Sequence, residues 1–203
     1  DGVLVFTDRY HYEAWKKLAD RLGIYFDETI NNRLRGVSRM ESLKIILERS
    51  DVSYSDKEKE AFAAEKNETY RELLSHMRPE DVSEDVRDTL RRLRERGHRM
   101  AIGSSSKNTK YILERVGLTD MFDAISDGTN ITHSKPDPEV FLCAASKLGL
   151  APAECAVVED AKAGIQAAKA GGMTALALFG DAKDCGLEDY DLLSFSDLLN
   201  IYK

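Results

Sequence analysis

The sequence has few cysteines, no long apolar run and no excess of basic charge, and each shortage excludes a class of protein. The three cysteines, Cys143, Cys155 and Cys185, are odd in number and widely spaced, which gives no disulfide framework and no metal-binding pattern. The longest apolar stretch, residues 173–179, has the length of a buried strand and is far too short to cross a bilayer. The formal net charge of −7 argues against binding to duplex nucleic acid. We therefore expect a cytoplasmic protein with no nucleic-acid partner and no membrane partner.

The remaining composition is that of an ordinary soluble globular protein. Of its 203 residues, 42% are hydrophobic and 32% are charged, which is close to the average for folded domains. A chain of this length forms one or two domains and buries a sizeable core.

Residues 10–77 show helical spacing throughout. The first apolar repeat ends at Gly23 and consists of Ala14, Trp15, Leu18 and Leu22. Ile30 and Leu34 mark a second helix, for which Gly36 is the expected end. Ser-x-x-Glu capping boxes precede two further apolar repeats, one starting at Ser38 and one at Ser55. This part of the chain is predicted to be all helical.

From residue 82 onward, helices alternate with short apolar strands. The predicted strands are residues 100–103, 124–125, 155–158 and 174–178. Repeated strand–helix units of this kind form a parallel sheet that is covered on both faces. The sequence therefore predicts an α/β fold with a doubly wound, Rossmann-like parallel sheet in residues 1–8 and 82–203. An all-helical domain, residues 9–81, is inserted near the N-terminus.

Polar side chains follow the predicted strands, at the edge of such a sheet where ligands bind. Residues 104–108, Ser-Ser-Ser-Lys-Asn, offer hydroxyls and backbone N–H groups ahead of a helix, which suits a phosphate. The alternative is a simple Ser N-cap. Lys135 precedes Pro136 and Pro138 and could present a point charge to a phosphoryl oxygen. The alternative there is a helix start with proline near its first turn.

Two further groups carry carboxylates at predicted strand ends. Glu159 and Asp160 follow an apolar strand, where burial costs solvation energy unless a cation such as Mg²⁺ compensates. The alternative is an N-cap Asp beside an exposed Glu. Asp1-Gly2 has the form of a strand end that delivers a carboxylate to a turn, although no apolar strand stands before it.

In their order along the chain, these groups resemble the haloacid dehalogenase superfamily of aspartate-nucleophile phosphotransferases, and the resemblance covers the whole chain. Within that superfamily the chain resembles the β-phosphoglucomutase family. The segments that carry this closer resemblance are 1–4, 10–11, 34–39, 66–67, 104–108, 134–138 and 159–165.

The resemblance implies roles for the residues of the predicted sheet. Asp1 is the expected general acid/base, two positions after a nucleophilic Asp that forms an aspartyl-phosphate. Ser104 and Lys135 are expected to hold the transferring phosphoryl oxygens. Glu159 and Asp160, with the backbone carbonyl of Asp1, are the expected Mg²⁺ ligands.

The resemblance also implies a second, non-transferring phosphate site. Arg39 matches the family's anchor for that phosphate, and Ser106 and Asn108 complete that end or contact the sugar. Other substrate-binding positions implied by the matching segments are Arg35, Gly36, Ser38, Lys66, Ser105 and Lys107. Arg35 departs from the family pattern, which usually has Lys there.

Thr7 and His11 match the hinge between the two domains. Through this hinge, His11 is expected to couple closure of the helical domain to the alignment of Asp1. The alternative for His11 is an ordinary histidine on a helix surface.

These implied roles predict a Mg²⁺-dependent phosphomutase that interconverts β-D-glucose 1-phosphate and glucose 6-phosphate through a bisphosphate intermediate. A sugar-phosphate phosphatase of the same fold is the alternative, since it shares the core positions without needing the anchor. A non-catalytic phosphosugar-binding protein is a third reading, which applies if the chain truly begins at Asp1. We expect instead that a first core strand with the nucleophile precedes Asp1. The expected partner is a phosphorylated sugar, and the expected state is a monomer.

Overall fold

A computed structural model describes residues 2–34 and 37–203. The chain divides into two compact units, one formed by Asp1–Phe6 with Arg78–Lys203 and the other by Thr7–Met77. We call the first the core unit and the second the cap unit. Among the described residues, no helix combines the length and the apolar composition needed to cross a membrane.

The cap unit is helical, as its spacing predicts. Its helices are α1 (Asp8–Leu22), α2 (Glu28–Asn32), α3 (Arg39–Leu47) and α4 (Asp56–Leu74). Helix α1 ends at Gly23, whose φ of 69° is the left-handed conformation that glycine adopts without steric cost. The capping box at α4 is complete, because Ser55 and Glu58 each accept a hydrogen bond from the other's backbone N–H. At α3 the side chain of Ser38 accepts from the N–H of Glu41.

Helix α2 is shorter than expected. The prediction carried it to Gly36, but it ends at Asn32. Asn31 and Asn32 have low helix propensity, and the N–H of Arg33 bonds back to Ile30 at 3.0 Å, as does that of Leu34 to Asn31 at 2.9 Å. The chain therefore leaves the helix in tight turns, with Leu34 still buried.

The cap unit has its own apolar cluster. Trp15, Leu18 and Ala19 of α1 are buried in it with residues of the other helices, namely Ile24, Phe26, Ile30, Leu34, Leu43, Ile46 and Ala63. These positions are the i, i+3, i+4 face that the sequence shows. Burial of this face is what fixes α1 in place, since isolated helices of such length are marginal in water.

The core unit alternates helices and strands. Its elements in chain order are α5 (Glu84–Glu95), β1 (Ala101–Gly103), α6 (Thr109–Arg115), β2 (Ala124–Ser126), α7 (Glu139–Leu148), β3 (Ala156–Glu159), α8 (Lys162–Ala170), β4 (Thr174–Ala177), β5 (Tyr190–Asp191) and α9 (Leu198–Ile201). The last strand and the last helix were not predicted, because each is very short and has no periodic pattern.

Every strand pair in the described residues is parallel, which confirms the predicted α/β class. Strand β1 pairs with β2, and β3, β4 and β5 pair in that order. The strands thus form one two-stranded and one three-stranded sheet, where the sequence predicts a single doubly wound sheet. Within each sheet the register is direct, with Gly103 beside Ser126 and Glu159 beside Ala177.

Small side chains allow the strands and helices of the three-stranded sheet to pack closely. Ala175 and Ala177 of β4 and Ala167 and Ala168 of α8 are completely buried in one cluster, together with Ile165. Alanine leaves room for a close approach of helix and strand at native packing density. Helix α8 is therefore held directly behind the strand end that carries Glu159.

Helix α5 contributes arginines that bind backbone carbonyls elsewhere in the core unit. Arg87 donates to the carbonyls of Pro79 and Val116, at 2.6 and 2.7 Å. Arg96 donates to those of Leu199 and Tyr202, at 2.7 and 2.6 Å. The carbonyls of Val116 and Tyr202 directly follow α6 and α9, whereas that of Pro79 also accepts the backbone N–H of Val82, at 3.2 Å. Arg87 in α5 and Arg96 at its C-cap therefore hold other segments of the core unit through their backbone carbonyls.

Candidate active site

The carboxyl ends of β1 and β3 are joined by one side chain. Lys135 Nζ donates to the carbonyl of Gly103, the last residue of β1, at 3.3 Å. It also donates to Glu159 Oε1 at the end of β3. Both side chains of this ion pair are largely buried, with exposed fractions of 12% for Lys135 and 8% for Glu159. The structure therefore brings together two predicted site residues that are 24 positions apart.

The structure does not agree with the alternative in which Asp160 is an N-cap and Glu159 is exposed. That alternative required an exposed Glu, whereas Glu159 is 6% exposed and the N-cap of α8 is Ala161. Glu159 Oε2 accepts from the backbone N–H groups of Asp160 and Ala161, at 3.2 and 3.3 Å. Burial, with a further contribution from the charge of Glu159, raises the pKa of Asp160 to about 6.

Glycines leave the space that these carboxylates occupy. A Cβ atom on Gly164 would lie 2.1 Å from Glu159 Cδ, and one on Gly2 would lie 1.9 Å from Asp160 Oδ2. A Cβ on Gly180 would lie 2.3 Å from the backbone oxygen of Asp160. Gly2 therefore lies directly against the Asp160 carboxylate.

The donor set at this edge fits Mg²⁺. Glu159 and Asp160 place two adjacent carboxylates in a largely buried position, with Lys135 as the paired cation. One ammonium leaves an excess of negative charge, and carboxylate oxygens are the ligands that this hard cation prefers. The two residues could therefore hold the metal.

The loop after β1 is held by its own hydroxyls. Ser104 Oγ accepts from the N–H of Ser106 at 3.2 Å, and Ser106 Oγ accepts from the N–H of Asn108 at 3.1 Å. The helix α6 begins only at Thr109, and its N-cap Asn108 makes no side-chain cap bond, so the Ser N-cap alternative does not hold. The loop is a separate turn that precedes the helix.

The serine loop also packs against the loop after β2. The backbone N–H of Ser104 donates to Ser126 at 3.0 Å, and that of Gly128 donates to Ser106 at 3.2 Å. Ser105 Oγ is buried with no partner among the described residues, while Lys107 is exposed. Ser104, whose side chain is half-buried at the end of β1, is therefore held by backbone bonds on a rigid turn.

The cap unit contains a buried group of cationic and aromatic side chains. Lys66 is 3% exposed, and its Nζ lies 2.9 Å from His11 Nδ1. The same ammonium stands over two rings, 4.8 Å from the centre of Trp15 and 4.4 Å from that of Tyr70. Thr7, fully buried, shares a 2.9 Å hydrogen bond between its Oγ1 and the Tyr70 hydroxyl. His11 is thus part of this buried group and is not an ordinary surface histidine.

Burial and nearby positive charge lower the pKa values of Lys66 and His11. Burial, and to a lesser extent the charge of Arg39, lowers the pKa of Lys66 to about 7. Burial and the nearby Lys66 hold the pKa of His11 well below its usual range. Among the described residues, no carboxylate forms an ion pair with Lys66 or Arg39. This region is therefore short of negative charge.

Arg39 lies at the start of helix α3, directly after its N-cap Ser38. Its Nη2 donates to Asn67 Oδ1 at 2.7 Å, and burial lowers the pKa of the guanidinium. Asn67 and Tyr70 were not among the predicted site residues. Asn67 belongs to the matching segment 66–67, and Tyr70 lies four positions after Lys66 on the same face of α4.

Three predicted site residues, Asp1, Arg35 and Gly36, lie outside the described residues. Of the rest, the core unit holds the phosphoryl and metal candidates together with Ser105, Ser106, Lys107 and Asn108, and the cap unit holds Thr7, His11, Ser38, Arg39 and Lys66.

One contact at the start of α7 was also missed. Glu139 accepts from the backbone N–H groups of Thr132, at 2.9 Å, and His133, at 2.6 Å, and its Oε2 lies 3.1 Å from His133 Nδ1. With Asp137, these side chains form a group of donor atoms that lie within 4.8 Å of one another. Because both Glu139 oxygens already accept backbone bonds, the carboxylate serves to fix the chain leading to Lys135.

The family follows from comparison with known proteins. Residues 1–172 match the family model of haloacid dehalogenase-like hydrolases. The chain therefore belongs to the haloacid dehalogenase-like hydrolases, which confirms the resemblance seen in the sequence.

Individual relatives include mutases and phosphatases. The chain is 41% identical to β-phosphoglucomutase of Bacillus subtilis (strain 168) over 180 residues, which cover 88% of this chain and 80% of that protein. It is 32% identical to fructose-1-phosphate phosphatase of Escherichia coli (strain K12) over 180 residues, covering 87% and 91%. A crystal structure of β-phosphoglucomutase from Clostridium difficile superimposes with a TM-score of 0.90 at 34% identity, covering 100% of this chain and 93% of that one. The sequence and structural comparisons agree on the fold and on enzymes of phosphorylated sugars.

Proposed function

We propose that this protein is a β-phosphoglucomutase, which interconverts β-D-glucose 1-phosphate and glucose 6-phosphate. The observation that supports this most is the group of His11, Lys66 and Arg39 in the cap unit, in which Lys66 is buried and the other two are half-buried. A phosphatase needs one phosphate site, whereas a mutase working through a bisphosphate must bind a second phosphate that does not react. Lys66 and Arg39, which form no ion pair with a carboxylate among the described residues, suit that second phosphate.

The core residues act on the transferring phosphoryl group. In the family pattern, the group is carried as an aspartyl-phosphate by the residue two positions before Asp1. Asp1 protonates the leaving sugar oxygen and later deprotonates the attacking hydroxyl. Lys135 and Ser104 hold the phosphoryl oxygens as their charge redistributes.

Glu159 and Asp160 would hold Mg²⁺, which when bound neutralises charge on the phosphoryl group. Lys135 keeps the Glu159 carboxylate in place through their ion pair. Gly164 leaves room for the same carboxylate. The protein's own contribution is thus to prearrange the two acids and the ammonium before the substrate arrives.

The cap residues bind the remainder of the substrate. Arg39 anchors the second phosphate through its planar guanidinium. Ser38, Lys66, Arg35 and Gly36 belong to the same side of the substrate, and Ser105, Ser106, Lys107 and Asn108 complete the sugar contacts. Thr7 and His11 are assigned to the hinge, as the family resemblance implies. The expectations of a monomer and of a cytoplasmic location stay predictions.

The proposal is tested by measuring two products from one reaction. Purified protein is given β-glucose 1-phosphate, Mg²⁺ and a catalytic amount of the bisphosphate, and glucose 6-phosphate and free phosphate are followed in parallel. A mutase forms glucose 6-phosphate at a rate far above that of phosphate release. Release of phosphate without the isomer would show the proposal to be wrong.

A sugar-phosphate phosphatase is the second candidate, favoured by the phosphatase among the relatives. It predicts phosphate release from several sugar phosphates, with no dependence on the bisphosphate. A non-catalytic binding protein predicts neither product and no gain of a phosphoryl group in the intact mass after incubation with the bisphosphate.

A further inference from the structure

Phe141 lies directly beneath the Lys135 ammonium. Lys135 Nζ stands 4.6 Å from the centre of the Phe141 ring, within the range of a cation–π interaction. Phe141 is in the first turn of α7 and is 6% exposed. The electron-rich face of the ring attracts the ammonium in a setting with little competing water.

Gly103 is what allows the ring to come so close. A Cβ atom at this position would lie 2.6 Å from Phe141 Cδ1, far inside van der Waals contact. The carbonyl of the same Gly103 accepts a hydrogen bond from Lys135. The end of β1 thus fixes both the ring and the ammonium above it.

The ring holds the ammonium without using one of its hydrogen-bond donors. A lysine ammonium has three N–H donors. Two are used by the carbonyl of Gly103 and by Glu159 Oε1. In the part of the chain that the structure describes, the third has no partner, so it is available to an incoming oxygen.

The backbone around this position is fixed as well. Glu139 accepts the N–H groups of Thr132 and His133 before Lys135, and Asp137 Oδ1 accepts that of Glu139 at 2.9 Å after it. Both ends of the segment are therefore tied to the start of α7, which also carries Phe141. Little is left to move except the lysine side chain itself.

From these contacts we infer that Phe141 is a positioning residue for phosphoryl transfer. The face of its ring holds the Lys135 ammonium in the orientation that leaves the free N–H available to an incoming oxygen. The inference rests on the role proposed for Lys135, and it applies whether the phosphoryl group passes to a sugar or to water. It assigns an electrostatic task to a residue that otherwise looks like an ordinary part of the apolar cluster.

The test lowers the electron density on the face of the Phe141 ring while nearly keeping the shape of the ring. Phe141 is replaced by phenylalanine with one, two and three ring fluorines, which progressively weaken the negative face. Consumption of β-glucose 1-phosphate is expected to slow with each fluorine, by about tenfold in kcat over the series. KM and the melting temperature stay close to those of the native protein, since packing and the cap residues are unchanged.

Phe195 supplies the matched control. It is also 6% exposed and lies in the core unit, but it has no lysine over its ring among the described contacts. The same fluorinated series at Phe195 should leave kcat unchanged. A flat kcat series at Phe141 with activity lost only in Phe141→Leu would mean that the ring merely fills space, and the inference would be wrong. An equal decline at Phe195 would also overturn it.

Binding of inorganic phosphate gives a readout that does not depend on turnover. With Mg²⁺ present, its dissociation constant should rise across the Phe141 series and stay constant across the Phe195 series. If β-glucose 1-phosphate is not consumed at all, the proposed function fails, while this binding series still decides the role of Phe141. An unchanged dissociation constant in the Phe141 series would refute that role.

Discussion

The two units of this protein each bury a lysine against aromatic rings, but they treat its charge differently. In the core unit, Lys135 over Phe141 is paired with the Glu159 carboxylate. In the cap unit, Lys66 over Trp15 and Tyr70 has His11 as its polar neighbour. The carboxylate compensates one lysine, whereas burial next to Arg39 lowers the pKa of the other to about 7.

The difference separates a lysine that is paired with a carboxylate from one that has no carboxylate partner among the described residues. The lysine of the core unit has a carboxylate partner within the protein, and under the proposed function it would polarise a phosphoryl group. Under the proposed function, the cations of the cap unit gain an anionic partner when the second phosphate binds. We therefore expect changes in the core unit to affect the chemical step and changes in the cap unit to affect binding.

The largest effect is expected from Lys135→Met. Loss of a phosphoryl-binding donor should lower kcat by about 10²–10³-fold, and the unpaired, buried Glu159 should cost about 3–5 kcal/mol of unfolding free energy. Steady-state kinetics and urea denaturation measure the two effects. Adding Glu159→Gln should restore much of the stability but none of the rate.

Lys44 provides the control for this pair, because it forms an exposed ion pair with Glu41, with exposed fractions of 66% and 52%. Lys44→Met should change the unfolding free energy by less than about 0.5 kcal/mol. If Lys135→Met is equally mild, the core unit does not depend on its ion pair and the contrast fails.

Arg39→Ala should act on binding. Loss of a charge-assisted hydrogen bond of about 1.5–3 kcal/mol should raise KM for β-glucose 1-phosphate by roughly 10–100-fold. Hydrolysis of a small phosphate ester that lacks a second anchor should change little. Arg33→Ala, which removes an exposed ion pair with Glu48 in the same unit, should leave KM as it is. A fall in kcat with constant KM would place Arg39 in the chemical step instead.

Gly164→Ala tests how closely the core unit is fitted around Glu159. An alanine in a helix normally stabilises by about 1 kcal/mol relative to glycine. Here its Cβ would lie 2.1 Å from Glu159 Cδ, so the unfolding free energy should fall by about 1–3 kcal/mol. The neighbouring Gly171→Ala meets nothing nearer than 3.4 Å and should be neutral or slightly stabilising. Equal stability of the two variants would show that Glu159 can move aside.

The smallest effect is a pH dependence of stability caused by Lys66. Its folded pKa of about 7 lies below its ordinary value of 10.5, so between these values the unfolded chain binds the extra proton. The unfolding free energy should therefore rise with pH above 7, by about 1.4 kcal/mol per pH unit at most. Lys66→Met should remove this rise in urea denaturation at pH 7.5 to 9. A difference between the two proteins that does not vary with pH would contradict the prediction.

Local patterns were sufficient to predict most of the fold. The Ser55–Glu58 capping box, the end of α1 at Gly23 and the parallel strands follow from spacing over a few residues. The division into two sheets and the short strand β5 could not be predicted, because no periodic pattern specifies them. Helix α2 ended early, since the low propensity of its two asparagines outweighed its apolar spacing.

The candidate site was predictable by residue type but not by pairing. Strand ends indicated Ser104, Lys135 and Glu159, but nothing local shows that Lys135 and Glu159 form an ion pair across 24 positions. The pair of His11 and Lys66 spans 55 positions and is equally invisible in the sequence. Phe141 looked like one more apolar residue of a helix. Contacts of this kind arise only when the strands and helices are packed together.

The arginines of α5 have a practical consequence for protein engineering. Arg87 and Arg96 each donate to two backbone carbonyls, in both cases from one terminal nitrogen of the planar guanidinium. Replacing these arginines by lysine or by an acidic residue to improve solubility would remove the hydrogen bonds that hold these backbone carbonyls. A library of variants should keep these positions constant and vary charged side chains that bond only to other exposed side chains, such as Lys44.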